Sequence, residues 1–202
     1  MVIEAPSPWN VANAVTVARI ALVPFFAWAL LVEDGQSVTW RLVATGIFVV
    51  AAASDRVDGY LARSRGLVTD VGKLLDPIAD KALIGAALVL LWWPLGELPW
   101  WVPAVILVRE LGITVLRMVV LKYAVMPASR GGKLKTVLQS TAISLLLLPL
   151  DHLPGAIRMV AWVVLGAAIA VTVVTGVDYA YRGWSLRQRS RAALAAREAS
   201  AA

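Results

Sequence analysis

The chain has 202 residues, of which 60% are hydrophobic, and its mean hydropathy is +0.76. It contains no cysteine, which excludes disulfide bonds and thiolate metal sites. Its net charge of +6 lies mainly beside apolar segments, so anionic lipid headgroups and phosphorylated substrates are better candidate partners than nucleic acid, and we expect no nucleic-acid partner. This composition predicts an integral membrane protein.

Six apolar segments follow one another, each close to the roughly 17 to 25 residues that cross a hydrocarbon core. They cover residues 14–32, 38–54, 78–95, 100–121, 135–150 and 156–179. Inside lipid each must be helical, because an unpaired backbone amide there has no water to bond. We therefore expect an all-α, polytopic membrane protein with six transmembrane helices. It would have a six-helix membrane domain over residues 1–182 and a basic cytoplasmic tail over 183–202.

The orientation of these helices follows from the basic residues at their ends. Basic residues concentrate in the second and fourth connections and after the last apolar segment: Arg56, Arg63, Arg65 and Lys73; Arg130, Lys133 and Lys135; Arg182, Arg187, Arg189, Arg191 and Arg197. The connections 33–37, 96–99 and 151–155 contain no Lys or Arg. By the positive-inside rule, both termini and the segment 55–80 face the cytoplasm, as expected for a multi-pass protein of the inner (cytoplasmic) membrane.

Two carboxylates and a basic residue stand where the second apolar segment ends. Asp55 and Asp58 are three residues apart, so on a continuing helix they lie on one face. The small residues Gly59 and Ala62 share that face, which leaves room for a bulky ligand, and Arg63 follows one residue later. Charged groups in a membrane segment are costly, and this pattern therefore indicates a functional site.

The next helix supplies two more carboxylates. Gly72, Asp76 and Asp80 recur at every fourth residue and share a face if that helix begins early. Four carboxylates in one partly desolvated site repel one another unless a cation neutralises them, and oxygen ligands suit Mg²⁺, Mn²⁺ or Ca²⁺. Structural alternatives stay open: Asp76 before Pro77 also looks like a helix N-cap followed by proline, and Asp55 could pair with a nearby arginine.

This segment resembles the signature of the CDP-alcohol phosphotransferases at all eight of its fixed positions: Asp55, Asp58, Gly59, Ala62, Arg63, Gly72, Asp76 and Asp80. Other parts of the chain look like the phosphatidylglycerophosphate synthases within that family: Asn13, Thr16 and Arg19 with Pro24; residues 75–81; Arg109 and Glu110 with Arg117; and residues 132–136 with Gln139. The resemblance implies the CDP-alcohol phosphotransferase fold and a catalytic role for the membrane domain.

The resemblance also implies a cofactor, substrates and residue roles. Two divalent cations, Mg²⁺ or Mn²⁺, would be held by Asp55, Asp58, Asp76 and Asp80, and Asp80 would also be the catalytic general base. CDP-diacylglycerol would be bound through eight positions: Gly59, Ala62, Arg63, Thr69, Gly72, Asn13, Thr16 and Arg19. The acceptor would be sn-glycerol 3-phosphate, the products phosphatidylglycerophosphate and CMP, and the assembly a homodimer among membrane lipids.

Four cations are candidates for holding the acceptor phosphate: Arg109, Arg117, Lys133 and Lys135. Guanidinium groups suit bidentate phosphate contacts, and lysine acts as a compact point charge. Arg109 and Arg117 are eight residues apart and fall on roughly one helix face. The alternative is structural: Arg109 pairs with Glu110, while Lys133 and Lys135 mark the membrane boundary.

Three other functions compete with this interpretation. The same chemistry could use inositol 1-phosphate, serine or phosphatidylglycerol as the acceptor. A cation or proton transporter could use the aspartates as a relay, although transporters place such groups near the bilayer midplane and these lie at helix ends. A non-catalytic membrane scaffold would make the aspartate spacing a coincidence.

Overall fold

The structure is a computed structural model and describes residues 10–64, 69–121 and 130–201. Within these ranges, the side chains of several helical stretches are outside the description, chiefly 55–64, 70–71, 73–74, 117–121, 130–131 and 189–201.

The regular structure of the described residues is entirely helical. Six α-helices follow in order: α1 Val11–Leu31, α2 Val38–Ser64, α3 Asp70–Trp92, α4 Trp101–Leu121, α5 Arg130–Leu147 and α6 Gly155–Ala201. Each predicted apolar segment overlaps one of them, which confirms the all-α class. Helix α6 runs without a break across the predicted domain boundary at residue 182.

The helices pack so that their polar ends meet. Helix α1 packs against α2 and α3, α6 packs against α4 and α5, and α2 contacts α5 while α3 contacts α4. The contact between Asn13 and Thr69 joins the beginnings of α1 and α3, and the contact between Lys135 and Glu110 joins the beginning of α5 to the middle of α4. This arrangement gathers the candidate functional residues at one end of the bundle.

Away from that end the interior is apolar and includes an ion pair made by a buried arginine. Phe26 of α1 and Phe48 of α2 are fully buried, with ring centroids 5.8 Å apart. Arg41 pairs with Glu97 and donates from Nη2 to the carbonyl of Leu146 at 3.1 Å and from Nε to that of Leu147 at 3.2 Å. The last carbonyls of a helix have no partner within it, so Arg41 satisfies the end of α5.

The outer faces of the bundle expose large apolar side chains. Val50, Val108, Val163 and Trp184 are each more than 60% exposed. In water, such extended apolar surface marks an interaction site or an aggregation hazard, whereas lipid solvates it well. Two segments of the described chain, Asn13–Gly35 and Gly155–Ser185, are long and apolar enough to cross a membrane, and the 38–54 segment is a shorter apolar helix.

Helix α3 begins well before Asp76. Its N-cap is Thr69, whose Oγ1 accepts a hydrogen bond from the amide of Gly72 at 3.0 Å. Pro77 lies inside the helix. The alternative that Asp76 caps the helix is therefore wrong, and Gly72, Asp76 and Asp80 lie on successive turns, as the early start predicted.

Candidate functional site

A polar contact fastens the beginning of α1 to the beginning of α3. The Nδ2 of Asn13 donates to Thr69 Oγ1 at 2.8 Å, and the same oxygen caps α3 through the Gly72 amide. Asn13 and Thr69 are both buried. Because a buried polar group is costly unless it is hydrogen-bonded, this pairing sets how the two helices approach each other.

Gly72 permits this close approach. A Cβ added there would lie 2.5 Å from Asn13 Oδ1 and 3.2 Å from Thr69 Oγ1. The space against α1 is therefore filled by the asparagine side chain, which explains why glycine occupies this face of α3.

Gly72→Ala is expected to destabilise the protein by about 1–3 kcal/mol, because overpacking forces the Asn13 contact to open. Gly85→Ala is the matched control: it lies on the same helix, and its added Cβ would meet only Leu107 Cδ2, at 3.7 Å. There alanine should be neutral or stabilising by about 0.5–1 kcal/mol, since glycine weakens a helix interior. Thermal unfolding in detergent compares the two variants, and equal midpoints would contradict this account.

A second contact between α1 and α3 orients one of the predicted metal ligands. Thr16 Oγ1 donates to Asp76 Oδ1 at 2.9 Å. Thr16 is buried, whereas Asp76 is exposed and Asp80, one turn later, is half-buried. Two carboxylates on successive turns at a partly exposed helix face are a donor set that suits a hard divalent cation.

Five of the predicted site residues lie in the last turns of α2: Asp55, Asp58, Gly59, Ala62 and Arg63. Their side chains are outside the described part of the structure. Among the side chains that are described, no group of three or more His, Asp or Glu residues forms a metal site. The backbone still places these residues at the end of α2. Just before them, at Ser54, α2 makes a polar contact with α1.

That contact involves a fully buried arginine. Arg19 is 1% exposed, and its Nε donates to Ser54 Oγ at 3.3 Å. Ser54 in turn donates to the carbonyl of Ala51 at 2.8 Å. Since Ser54 directly precedes Asp55, a buried positive charge is held close to the helix turn where the predicted carboxylates begin.

A cavity of about 140 Å³ lies between α3, α4 and α5. It contains polar groups from all three helices within an apolar wall. Its lining residues are Asp80, Lys81, Ile84, Leu107, Glu110, Leu111, Lys135, Thr136 and Gln139. Two carboxylates and two lysines thus line one small, partly open cavity.

Glu110 holds the cations beside this cavity. It pairs with Lys135, whose side chain is 7% exposed, and with Arg109, whose Nη1 donates at 3.2 Å. Arg109 also donates from Nη2 to Thr175 Oγ1 of α6 at 3.0 Å. A Cβ on Gly176 would lie 3.1 Å from Arg109 Cγ, so α6 packs closely on the arginine stem.

The four predicted acceptor cations therefore differ in their position relative to the cavity. Lys135 lines the cavity, while Arg109 reaches it through Glu110 and also contacts α6. Lys133 is exposed on α5. The side chain of Arg117 lies outside the described residues. The alternative that Arg109 pairs with Glu110 is confirmed.

The sequence reasoning gave Glu110 and Gln139 no role of their own. A signal for Glu110 was available, because it is the sole acidic residue between Glu97 and Asp151, within a strongly apolar stretch. An isolated carboxylate in such a helix needs a partner, and the nearby cations were the candidates. Gln139 carried no comparable signal, since a neutral amide is tolerated on any helix surface.

Together, the fold and the site define a helical membrane protein with carboxylates, a buried arginine and a lysine-lined cavity at one end of the bundle. Residues 9–174 match the CDP-alcohol phosphatidyltransferase family. The chain belongs to this family.

Similar proteins cover most of the chain. A Mycobacterium tuberculosis protein named "Probable phosphatidylglycerophosphate synthase" is 51% identical over 173 residues, which are 86% of this chain and 81% of that relative. A Bacillus subtilis protein named "CDP-diacylglycerol–glycerol-3-phosphate 3-phosphatidyltransferase" is 38% identical over 194 residues, 90% of this chain and 99% of that relative. A Rickettsia felis protein of the same name is 36% identical and covers 84% of this chain and 93% of that relative.

Proposed function

We propose that the protein makes phosphatidylglycerophosphate and CMP from CDP-diacylglycerol and sn-glycerol 3-phosphate. The observation that carries this proposal is the cavity that Asp80 and Lys135 both line, which puts a proton acceptor and a cation beside the same small space. The names of the relatives specify the same reaction for those proteins.

In the proposed reaction, the Asp80 carboxylate accepts the proton of the acceptor's 1-hydroxyl group. The resulting oxygen attacks the phosphorus atom that carries diacylglycerol, and a new phosphorus–oxygen bond forms. The bond between this phosphorus and the oxygen bridging to the cytidine phosphate breaks. That oxygen leaves with CMP, so the pyrophosphate link is exchanged for a phosphodiester.

The carboxylates Asp55, Asp58, Asp76 and Asp80 would hold two divalent cations, Mg²⁺ or Mn²⁺. When bound, such ions stabilise the charge on the attacking and leaving oxygens of a phosphoryl transfer. The Thr16 hydroxyl restrains Asp76 from the α1 side. This support leaves the opposite side of the carboxylate for a ligand.

The donor would bind across the ends of α1, α2 and α3. Its proposed contacts are Asn13, Thr16, Arg19, Gly59, Ala62, Arg63, Thr69 and Gly72. The network of Asn13, Thr69 and Gly72 holds the first turns of α1 and α3 together and would keep this surface rigid. Arg19, buried beside Ser54, would place a positive charge near the diphosphate and stabilise its negative charge.

Lys135 would bind the acceptor phosphate, with Arg109, Arg117 and Lys133 as further proposed contributors. A lysine ammonium group has three donors, so Lys135 can keep Glu110 as a partner and still contact a phosphate oxygen. Arg109 would act through Glu110, which it helps to hold in place.

Lys135→Ala is expected to raise the apparent KM for glycerol 3-phosphate by roughly 10-fold or more, with a smaller change in the KM for CDP-diacylglycerol, because a charged hydrogen bond to phosphate is lost. Lys133→Ala is the comparison on the same helix: its side chain is exposed and outside the cavity wall, so its proposed contribution to phosphate binding predicts a smaller rise in the same KM. Steady-state kinetics with each substrate varied in turn measures both. Equal effects on the two KM values would assign Lys135 a structural role.

We further propose that all six helices span the inner membrane, with both termini and the catalytic end in the cytoplasm, and that the protein acts as a homodimer. The exposed apolar faces support the spanning helices. The distribution of basic residues supports the orientation. Trp92, Trp93, Trp100 and Trp101 are exposed at the opposite end, which suits an aromatic belt.

The test of the proposed function is CMP release by detergent-purified protein supplied with CDP-diacylglycerol and Mg²⁺ or Mn²⁺. Glycerol 3-phosphate, inositol 1-phosphate, serine and phosphatidylglycerol are compared as acceptors, each with and without EDTA. Metal-dependent release with glycerol 3-phosphate alone supports the proposal. Release with a different acceptor would keep the chemistry and change the substrate, whereas silence with all four would favour a transporter or a scaffold.

A further inference from the structure

Gln139 of α5 has a buried oxygen atom without a partner at the wall of the cavity. Its side chain is 3% exposed, and no described residue donates a hydrogen bond to its Oε1. Buried polar atoms are almost always hydrogen-bonded, and an unpaired one in a native structure calls for an explanation. Because Gln139 lines the same cavity as Asp80 and Lys135, a ligand is the natural source of the missing donor.

None of the other described groups around the cavity donates a hydrogen bond to this oxygen. Ile84, Leu107 and Leu111 are apolar. The Thr136 hydroxyl donates to the carbonyl of Gly132 at 3.1 Å, and the ammonium groups of Lys81 and Lys135 make no hydrogen bond to Gln139 Oε1. A ligand hydroxyl would therefore gain a hydrogen bond there, and Gln139 would recover the interaction that it lost to burial.

The position of Gln139 relative to the other polar groups indicates which hydroxyl it would bind. Gln139 is four residues after Lys135 on α5, so both side chains lie on one face, one turn apart. In the proposed reaction, Lys135 binds the acceptor phosphate and Asp80 accepts the proton of the primary hydroxyl. A three-carbon acceptor such as glycerol 3-phosphate has one further polar group, the secondary hydroxyl on its middle carbon. Gln139 is therefore expected to bind this hydroxyl.

We propose that Gln139 Oε1 accepts a hydrogen bond from the secondary hydroxyl of the acceptor alcohol and thereby selects a polyol phosphate over a simple hydroxyalkyl phosphate. This inference rests on the proposed function. It makes Gln139 a specificity-determining residue. A site built to bond a hydroxyl group rejects an analogue that lacks it, because the buried partner is then left unpaired.

The test compares glycerol 3-phosphate with 3-hydroxypropyl phosphate, which keeps the phosphate and the reacting hydroxyl but lacks the secondary hydroxyl. For the unmodified protein, kcat/KM should be roughly 10- to 100-fold higher with glycerol 3-phosphate. In Gln139→Met, which keeps the side-chain length without the acceptor atom, the ratio should fall towards one. Gln139→Glu retains an acceptor oxygen and should preserve the preference.

Ser144→Ala is the matched control, since Ser144 lies on the same helix and its hydroxyl donates to the carbonyl of Ser140 at 2.8 Å. It should keep the ratio of the unmodified protein. A ratio near one in the unmodified protein would overturn the inference whatever the variants do, and so would an unchanged ratio in Gln139→Met. If Gln139→Met is inactive, Gln139→Asn, which withdraws the amide by one methylene, is judged by the same criterion.

These outcomes are separable from a failure of the proposed function. If the unmodified protein releases no CMP with glycerol 3-phosphate, the proposed reaction is wrong and Gln139 loses its assigned ligand. If CMP is released without discrimination between the two acceptors, the reaction stands and the role of Gln139 alone is wrong.

Discussion

Asp80→Asn is expected to reduce CMP release by about 10²- to 10⁴-fold, the usual contribution of a positioned general base. An amide has nearly the same shape as a carboxylate but cannot accept the proton of the attacking hydroxyl. Binding of CDP-diacylglycerol should persist, because the other proposed donor contacts remain. The measurement is CMP release at saturating donor and acceptor, together with donor binding to the purified variant.

The control for this variant is Asp151→Asn. Asp151, in the connection between α5 and α6, pairs with Arg158 of α6, and both side chains are well exposed. Its removal should leave CMP release unchanged. Because Asp80 is also a proposed metal ligand, activity is measured over a titration of Mg²⁺ and Mn²⁺: recovery of full turnover at high metal would assign Asp80 to metal binding alone, and an active variant at ordinary metal concentration would exclude both roles.

Glu110→Gln is expected to lower the free energy of unfolding by about 3–5 kcal/mol, the cost of breaking a buried ion pair by removing one partner. The Lys135 and Arg109 side chains are only 7% and 13% exposed, and both lose their carboxylate in this variant. Unfolding by sodium dodecyl sulfate in mixed micelles measures the change. Asp151→Asn again provides the comparison, because its surface pair is worth about 0–1 kcal/mol.

A second substitution tests the cause. Lys135→Met in the Glu110→Gln background removes the charge left unpaired, so the double variant should be more stable than Glu110→Gln alone. Equal stability of the single and double variants would show that the loss comes from packing rather than from an uncompensated charge. CMP release by the double variant should stay low, since the proposed phosphate contact is gone.

We propose that Glu110 has a part in acceptor binding as well as in stability. Glu110 pairs with Lys135, and both side chains line the cavity, so this pair fixes the ammonium group at the cavity wall. The charge that would bind the acceptor phosphate is thus positioned before the acceptor arrives. Preorganisation of this kind reduces the ordering cost of binding.

The helices were predictable because local chemistry determines them. Apolar segments such as 14–32 and 156–179 must be helical in lipid; α1 matches the first closely, and α6 contains the second but continues to Ala201. The shared face of Asp76 and Asp80 was also predictable, since a spacing of four residues places both on one side of any helix. The sequence did not determine where α3 begins. The structure shows that Thr69 is the N-cap, so the helix begins before Asp76.

Contacts between helices depend on which faces meet, and a single sequence does not encode that locally. Asn13 and Thr69 are 56 residues apart, and Lys135 and Glu110 are 25 apart. Their pairing follows from the packing of α1 on α3 and from the grouping of α3, α4 and α5 around one cavity. Likewise, only the packed bundle shows that Lys135 lines the cavity and Lys133 does not, because in the sequence both lysines are equally good candidates for phosphate binding.

The amino-acid sequence by itself determined the helical class, the family signature and the two aspartates of α3 that share a face, because each depends on short-range spacing or on composition. Only the tertiary structure decided that Lys135 and not Lys133 reaches the cavity, that Glu110 holds it there, and that Gln139 has an unpaired buried oxygen. Burial and long-range pairing cause these differences, and both arise only when the helices pack together.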